Sequence, residues 1–349
     1  MINWRITWVI RPAEGWGACQ RQAAGQQSRM SVHPFMIDPE RLWPGAGPYD
    51  AALAIIDLEA GACWPDTIAL PPCPLIGIGD PAHPSASHFD VIIEPPVTPE
   101  MIARSVVRNP EAAEIFVGLM RLHANGGLGI DAAFEAESLA YAVLQSGSGH
   151  RAWMAARDRQ AGPSPHGQIA LDRDHDCLLV MLDRIGAGNA IDRPMRDGLH
   201  AAFTLAALDP DISEIRLMAR GRAFCVGADL DEFGTTLDPV AAHMIRTRSL
   251  PARALAGFRG LVSVHVQGAC IGSGLEIAAF GSWITASPDA WFQLPELAMG
   301  IIPGAGGCVS LPRRIGRHRT ALMVLSGRRI NALTARDWGL VDAIVDDPA

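Results

Sequence analysis

From about residue 169 to residue 345, short apolar runs alternate with segments of helical periodicity, and this alternation restricts the chain to a layered α/β architecture. "CLLVMLD" (177–183), "EIRLMAR" (214–220), "LVSVHVQG" (261–268) and "SWITAS" (282–287) read as strands. "MRDGLHAAFTLAAL" (195–208) has the three- and four-residue apolar spacing of a helix, and "GLEIAAFGS" begins another. Ahead of this block, "EAAEIFVGLMRLH" and "DAAFEAESLAYAVL" predict helices within 98–158, opened by an N-cap-and-proline signature at Thr98-Pro99-Glu100. The runs "ALAIIDLE", "PLIGIGD" and "FDVIIEP" read as short strands between Pro-rich turns. Residues 1–50 are rich in Trp, Gly, Pro and Gln and show no clear period. The boundaries that follow are 1–97 for an N-terminal region, 98–158 for a helical segment, 159–168 for a linker, and 169–349 for the α/β core.

Composition excludes several classes of function. With 349 residues, 49% of them hydrophobic, the chain can bury a large core. A formal net charge of −8 argues against nucleic acid as a bulk partner. All 29 basic residues are Arg, so no lysine Schiff base or lysine general base is available. No uninterrupted apolar window of about 18 residues exists, which predicts no membrane helix. Seven scattered cysteines without framework or zinc spacing, and an opening "MINWRITWVIRP" without a signal-peptide pattern, predict a reducing, cytoplasmic setting.

The chemical question sits in "GACIGSGLEIAAF" (268–280), an apolar run with one carboxylate, Glu276. A buried ionised carboxylate is costly unless it is paired or used. Simple motifs fail here. Gly272-Ser273-Gly274 lacks the third glycine of a dinucleotide fingerprint, and a P-loop needs a lysine. Ser273 is no nucleophile elbow, because Ile271 and Leu275 occupy the flanking glycine positions. "DRDHDC" (172–177) reads as a solvated acidic turn in preference to a metal site. His265 on a strand reads as a satisfied core histidine, Trp291 and Trp338 as packing residues, and Cys225 and Cys270 as small buried hydrophobes.

Four segments carry the chemistry together: "GRAFCVGADLDEF" (221–233), "VHVQGACIGSGLE" (264–276), "FQLPELAMGIIPGAGG" (292–307) and "LSGRRINALTARDWGLVDAIV" (325–345). Turns that open helices expose backbone N–H groups, and two in one cleft can hold a developing oxyanion. In their order and spacing these segments resemble the crotonase (enoyl-CoA hydratase/isomerase) superfamily over roughly 169–345, with "LDRIGAGNAID" (182–192) as a weaker match.

The resemblance implies a crotonase-like ββα superhelix core with an added N-terminal region. It implies an acyl-CoA thioester substrate, no separate cofactor, no metal, and a homo-trimer or hexamer. It places oxyanion donors on the backbone N–H of Ala228 and Ser273, and two hydratase carboxylates on Glu276 and Glu296. Ala223, Gly227, Asp229, Gly272 and Gly304 are expected around the substrate, with Asp229 bonding turn amides. Hydration of a 2-enoyl-CoA is the expected reaction. Isomerisation, hydrolysis or C–C cleavage of a CoA thioester, and a non-catalytic CoA-binding scaffold, are the alternatives.

Two departures stand out. Serine replaces the glycine usual at 273, which would cost about 1–2 kcal/mol if that position demanded φ > 0. The segment 108–157 looks like the lid helices that the family carries after "WGLVD", moved to the front, so 110–157 should pack against the 313–345 region, in the same subunit or a neighbour. The arginine-rich "PRRIGRHR" (312–319) is expected either to be solvated or to meet CoA phosphates.

Overall fold

The computed structural model describes residues 35–47, 49–59, 67–124, 127–157 and 165–346. Most of the expected 159–168 linker and residues 1–34 lie outside the described residues. The chain first forms a parallel sheet of β1 (Ala54–Asp57), β2 (Leu75–Ile78) and β3 (Val91–Ile92), in that spatial order. Strand alternation assigns its faces. Ile55, Ile76 and Val91 join the main core, while Ala54, Ile56, Leu75 and Ile92 pack with Leu42, Leu58 and Phe89 on the other side. Burial on both faces is why these strands read as unbroken apolar runs.

Four helices follow: α1 (Pro99–Val106), α2 (Pro110–Ala124), α3 (Ile130–Gln145) and α4 (Ser148–Ala156). Thr98 caps α1, its hydroxyl accepting from the Met101 N–H at 3.4 Å. Asp90 fastens the small sheet to α2. Almost wholly buried, it accepts from Arg121 Nε (2.9 Å) and from the Leu75 N–H (2.8 Å), and Arg121 also donates to the Pro71 carbonyl (2.7 Å).

The remainder alternates as the sequence predicts. In order come β4 (Gln168–Asp174), β5 (Cys177–Asp183), α5 (Arg193–Leu208), β6 (Glu214–Ala219), α6 (Pro239–Ser249), α7 (Pro251–Gly257), β7 (Leu261–Val266) and β8 (Ala269–Ile271). Then come α8 (Ser273–Ala278), β9 (Trp283–Ala286), β10 (Trp291–Gln293), α9 (Gly307–Ser326), β11 (Ile330–Asn331), α10 (Ala332–Asp337) and β12 (Ala343–Ile344). A six-stranded sheet runs β12-β9-β7-β6-β5-β4, parallel except for the β4–β5 hairpin. A second sheet runs β11-β10-β8.

The second sheet positions the chemistry. β8 and β10 are parallel, with Phe292 opposite Cys270 and Gln293 opposite Ile271, so the turns leaving both strands emerge side by side. Cys225 bridges to Cys270, its N–H donating to the Ala269 carbonyl (3.0 Å), which brings the 226–229 turn to the same place. Three turns at the carboxyl ends of adjacent strands thus share one rim, where open parallel sheets bind ligands.

Helices α1, α2 and α3 pack on α9 within the same chain. The arginines of 312–319 reach distant segments of the chain. Arg313 donates to the Leu128 carbonyl (2.9 Å), and Arg317 donates to the Phe89 (2.7 Å) and Ser87 carbonyls. Arg319 pairs with Glu94 (3.2 Å), and Arg314 bonds the Gly281 carbonyl (3.0 Å) and Asp342. They bond carbonyls and carboxylates that tie chain segments together, while Arg313 remains exposed. Among the described residues, no helix is long and apolar enough to cross a membrane.

Candidate active site

Gly227 holds φ at +99°, a turn that presents the following N–H. The Ile191 N–H donates to the Gly227 carbonyl (2.8 Å), and the Asp229 N–H donates to the Ile191 carbonyl (2.9 Å). Between them, the Ala228 N–H has no acceptor among the described residues. Asp229 braces the same turn: one oxygen accepts from the Asp231 N–H (2.9 Å) and the other from Arg184 Nη1 (2.7 Å).

The second turn divides its demands among three residues. Gly272 takes φ +49° and ψ −125°, a region disfavoured for L side chains, and a Cβ there would lie 2.7 Å from Glu296 Oε1. At Gly274 a Cβ would overlap that of Cys225 and come within 2.7 Å of its Sγ. Ser273 bears neither constraint. It is the first residue of α8 and is absent from the non-glycine residues with positive φ, so the feared strain does not arise. Its N–H is one of the orphan donors of a helix start and has no acceptor among the described residues.

The carboxylates converge on the N-terminus of α9. Glu276 Oε2 accepts from the N–H of Ala305 (2.6 Å) and of Gly307 (2.8 Å). Glu137, from α3, accepts from the two interleaved donors: Oε1 from Gly306 (2.8 Å) and Oε2 from Cys308 (2.8 Å). Four consecutive backbone N–H groups at a helix start are thus shared alternately by two carboxylates, where the helix dipole also favours negative charge. Glycine at 307 permits this, because a Cβ there would sit 2.6 Å from Glu276 Cγ.

Burial pushes the Glu276 carboxyl up to about 7, with its two turn N–H bonds opposing the rise. Glu296 lies well above the usual carboxylate range, first because it is buried and second because the Glu276 charge is near. Its Oε2 is buried without a partner. Glu137 is likewise raised by burial first and by Glu276 second. Burial also drives the Cys225 thiol up to about 12, which leaves it a neutral packing group.

Glu276 and Glu296 border a cavity of about 320 Å³, with Glu137 behind its wall. Glu276, Glu296, Ala228 and Ser273 line it together, as do Gly227, Asp229, Gly272 and Gly304. Ala223 does not line it. The Ala223 carbonyl accepts from Asn189 Nδ2 (2.9 Å), which keeps the residue in the turn's framework beneath the cavity wall. Outside the cavity, His265 bonds Thr285 (2.9 Å) and Ser287 (3.2 Å), Arg329 stacks 3.9 Å over Trp291, and the 172–177 turn is exposed around Asp174 and His175.

Tyr141, His150 and Arg246 also line the cavity, and no motif marks them. The Tyr141 ring covers Gly304, where any Cβ would collide with it. His150 is buried against the turn that carries Glu296, with its Nδ1 2.9 Å from the Met299 carbonyl and its ring stacked on Trp153. A signal for Glu137 and Tyr141 exists in retrospect. Ala133, Phe134, Glu137, Tyr141 and Leu144 recur at three- and four-residue spacing, so a carboxylate and a phenol lie in the apolar stripe of α3.

Known proteins resemble the second half of this chain. The family profile described as enoyl-CoA hydratase/isomerase matches residues 173–348. A mevalonyl-coenzyme A hydratase of Beauveria bassiana is 36% identical over 194 residues, covering 53% of this chain and 69% of the relative. The 2,3-dehydroadipyl-CoA hydratase of Escherichia coli is 34% identical over 177 residues, covering 51% and 69%. The cyclohexa-1,5-dienecarbonyl-CoA hydratase of Thauera aromatica is 31% identical over 181 residues, covering 52% and 68%. With the profile matching half its length and relatives more than 30% identical covered to over two thirds, the chain belongs to the enoyl-CoA hydratase/isomerase family.

Proposed function

We propose that the protein hydrates a 2-enoyl-CoA thioester, with Glu276 and Glu296 as the acid–base pair. The observation that carries this reading is the asymmetry of the two carboxyls in one cavity. Glu276 Oε2 accepts two backbone N–H bonds that favour its ionised form, whereas Glu296 keeps a buried oxygen without a partner and is raised by burial and by the Glu276 charge. The thioester carbonyl accepts from the N–H groups of Ala228 and Ser273, and electron density moves from the alkene onto that oxygen. Ionised Glu276 takes a proton from the water that attacks C3, and neutral Glu296 delivers a proton to C2. The elements of water are added across the double bond, and no electron donor or acceptor is required.

A cytoplasmic homo-oligomer completes the proposal. Exposed Leu139 and Val143 on α3, beside exposed Val240 and Met244 on the contacting α6, support a covered apolar surface in an assembly. The five described cysteines are free, in keeping with a reducing setting.

Loss of the conjugated-thioester absorbance on adding crotonyl-CoA, followed in the wild type, Glu276→Gln and Glu296→Gln, tests the mechanism. The expected loss is about 10²–10⁴-fold in kcat for each variant. Undiminished hydration by both variants would refute the assignment, and no turnover of any 2-enoyl-CoA by the wild type would refute the activity.

A further inference from the structure

One wall of the cavity carries a cation that hydration does not use. Three arginines line the space: Arg193, Arg196 and Arg246. Two are answered by nearby carboxylates, with Arg193 Nε 3.9 Å from Glu232 and Arg196 Nη2 2.7 Å from Asp197. Arg246 forms no ion pair among the described residues. It is held instead by neutral groups. Its Nε donates to Ser138 Oγ (3.2 Å), Nη1 to Gln145 Oε1 (3.2 Å) and Nη2 to the Ser138 carbonyl (3.4 Å). The Tyr141 ring lies 4.4 Å beneath the guanidinium carbon.

A guanidinium has five N–H donors in a rigid fork. The three bonds above leave one N–H on each of Nη1 and Nη2, the number a carboxylate accepts in a bidentate pair. Arg246 is half-buried; burial disfavours its charge, with Tyr141 and Glu137 opposing in part, and an anion arriving at its free edge recovers more of that cost. Its place along the cavity is also informative. Ala228 and Ser273 mark the thioester oxygen, and Glu276 and Glu296 mark C2 and C3. The Tyr141 ring packs on Gly304, next to the Ala305 N–H that holds Glu276, and Arg246 stands on that ring's face. All of these groups line one cavity, with Arg246 joined to the Glu276 side through Tyr141.

We propose that Arg246 receives a carboxylate at the far end of the acyl chain, which makes the site selective for 2-enoyl-CoA thioesters of dicarboxylic acids. The proposal rests on the hydratase reading and names its substrate class. Gln145 and Ser138 are positioning residues here, fixing the fork so that its remaining edge faces the cavity.

The test uses pairs of 2-enoyl-CoA thioesters at several chain lengths, one member ending in a carboxylate and the other in the carboxamide of the same length. The wild type is expected to favour the carboxylate by about tenfold or more in kcat/KM at one or more lengths, the scale of a charged hydrogen-bonded pair. Arg246→Gln should collapse that ratio, and Arg246→Lys should keep part of it. Equal turnover of acid and amide by the wild type overturns the proposal without any variant having to fold. So does an Arg246→Gln enzyme slowed equally on both substrates, which would mean that Arg246 serves packing or the CoA phosphates. If no enoyl-CoA of either kind is hydrated, the hydratase reading itself has failed, a result distinct from hydration without preference.

Discussion

Replacing Glu276 with glutamine should change how the stability of this protein depends on pH. In the native state burial raises that carboxyl from its ordinary value of 4.5 to about 7. The native protein therefore keeps a proton that the unfolded chain has already lost. Below about pH 4.5 both states are protonated and the site has no effect. Between about pH 4.5 and 7 only the native state holds the proton, so stability falls across that window and levels off once the folded group has ionised. The move from 4.5 to about 7 corresponds to about 3 kcal/mol, and because the group is fully buried no discount for solvent screening applies.

Glutamine removes the titration while keeping the scaffold. Both turn N–H groups converge on one oxygen, Oε2, so a glutamine carbonyl in that place accepts from Ala305 and Gly307 as before. Urea unfolding of both proteins at about pH 5 and about pH 7.5 measures the effect. The wild type should lose about 2–3 kcal/mol more than Glu276→Gln over that interval. Parallel stability curves would refute the reasoning, because they would mean that Glu276 ionises as freely in the fold as in water.

Further outcomes are expected elsewhere in the site and its supports. Glu137→Gln can satisfy only one of the Gly306 and Cys308 N–H groups and turns a donor toward the other, so it should cost about 1–3 kcal/mol by urea titration and lower kcat by loosening the turn that holds Glu276. Gly274→Ala should destabilise by about 1–3 kcal/mol through collision with Cys225, whereas Ser273→Ala, which deletes a buried unpartnered hydroxyl, should leave the melting temperature equal or higher. Arg121→Met strands the buried Asp90 carboxylate and should cost about 3–5 kcal/mol, seen as faster proteolysis in the 67–97 region.

The two cavity-lining carboxylates, Glu276 and Glu296, were legible because their information is local. Glu276 follows its glycine turn within a few residues, Glu296 follows a proline, and parallel strands of matched register carry both to one rim. Serine at 273 looked hazardous only while it was unknown which residue of the turn bears the positive φ. That residue is Gly272, and close approach falls on Gly274. Glu137 was illegible for a different reason. Its partners are 169 and 171 residues away, and no spacing rule on α3 announces a contact of that range. The internal partners of the arginines in 312–319 were hidden in the same way, since a basic run looks alike whether it faces water or distant carbonyls. Ala223 lies inside the most recognisable segment yet serves the turn from behind.

The bonds from α9 to the front of the chain also impose an order on folding. Arg317 and Arg319 reach partners 225 to 230 residues earlier, and Arg313 reaches back 185. On a ribosome, the small parallel sheet and helices α1–α3 are synthesised long before the helix they lean on, and with it the amides that receive Glu137. Their apolar faces stay unmatched while roughly 200 further residues are made, at about 5–20 residues per second, which is an interval of about ten seconds or more. Contacts of such sequence separation slow folding and prolong exposure to aggregation. The newborn front half is therefore the part of this protein most dependent on chaperone shelter, and the cavity can close only after α9 has left the exit tunnel.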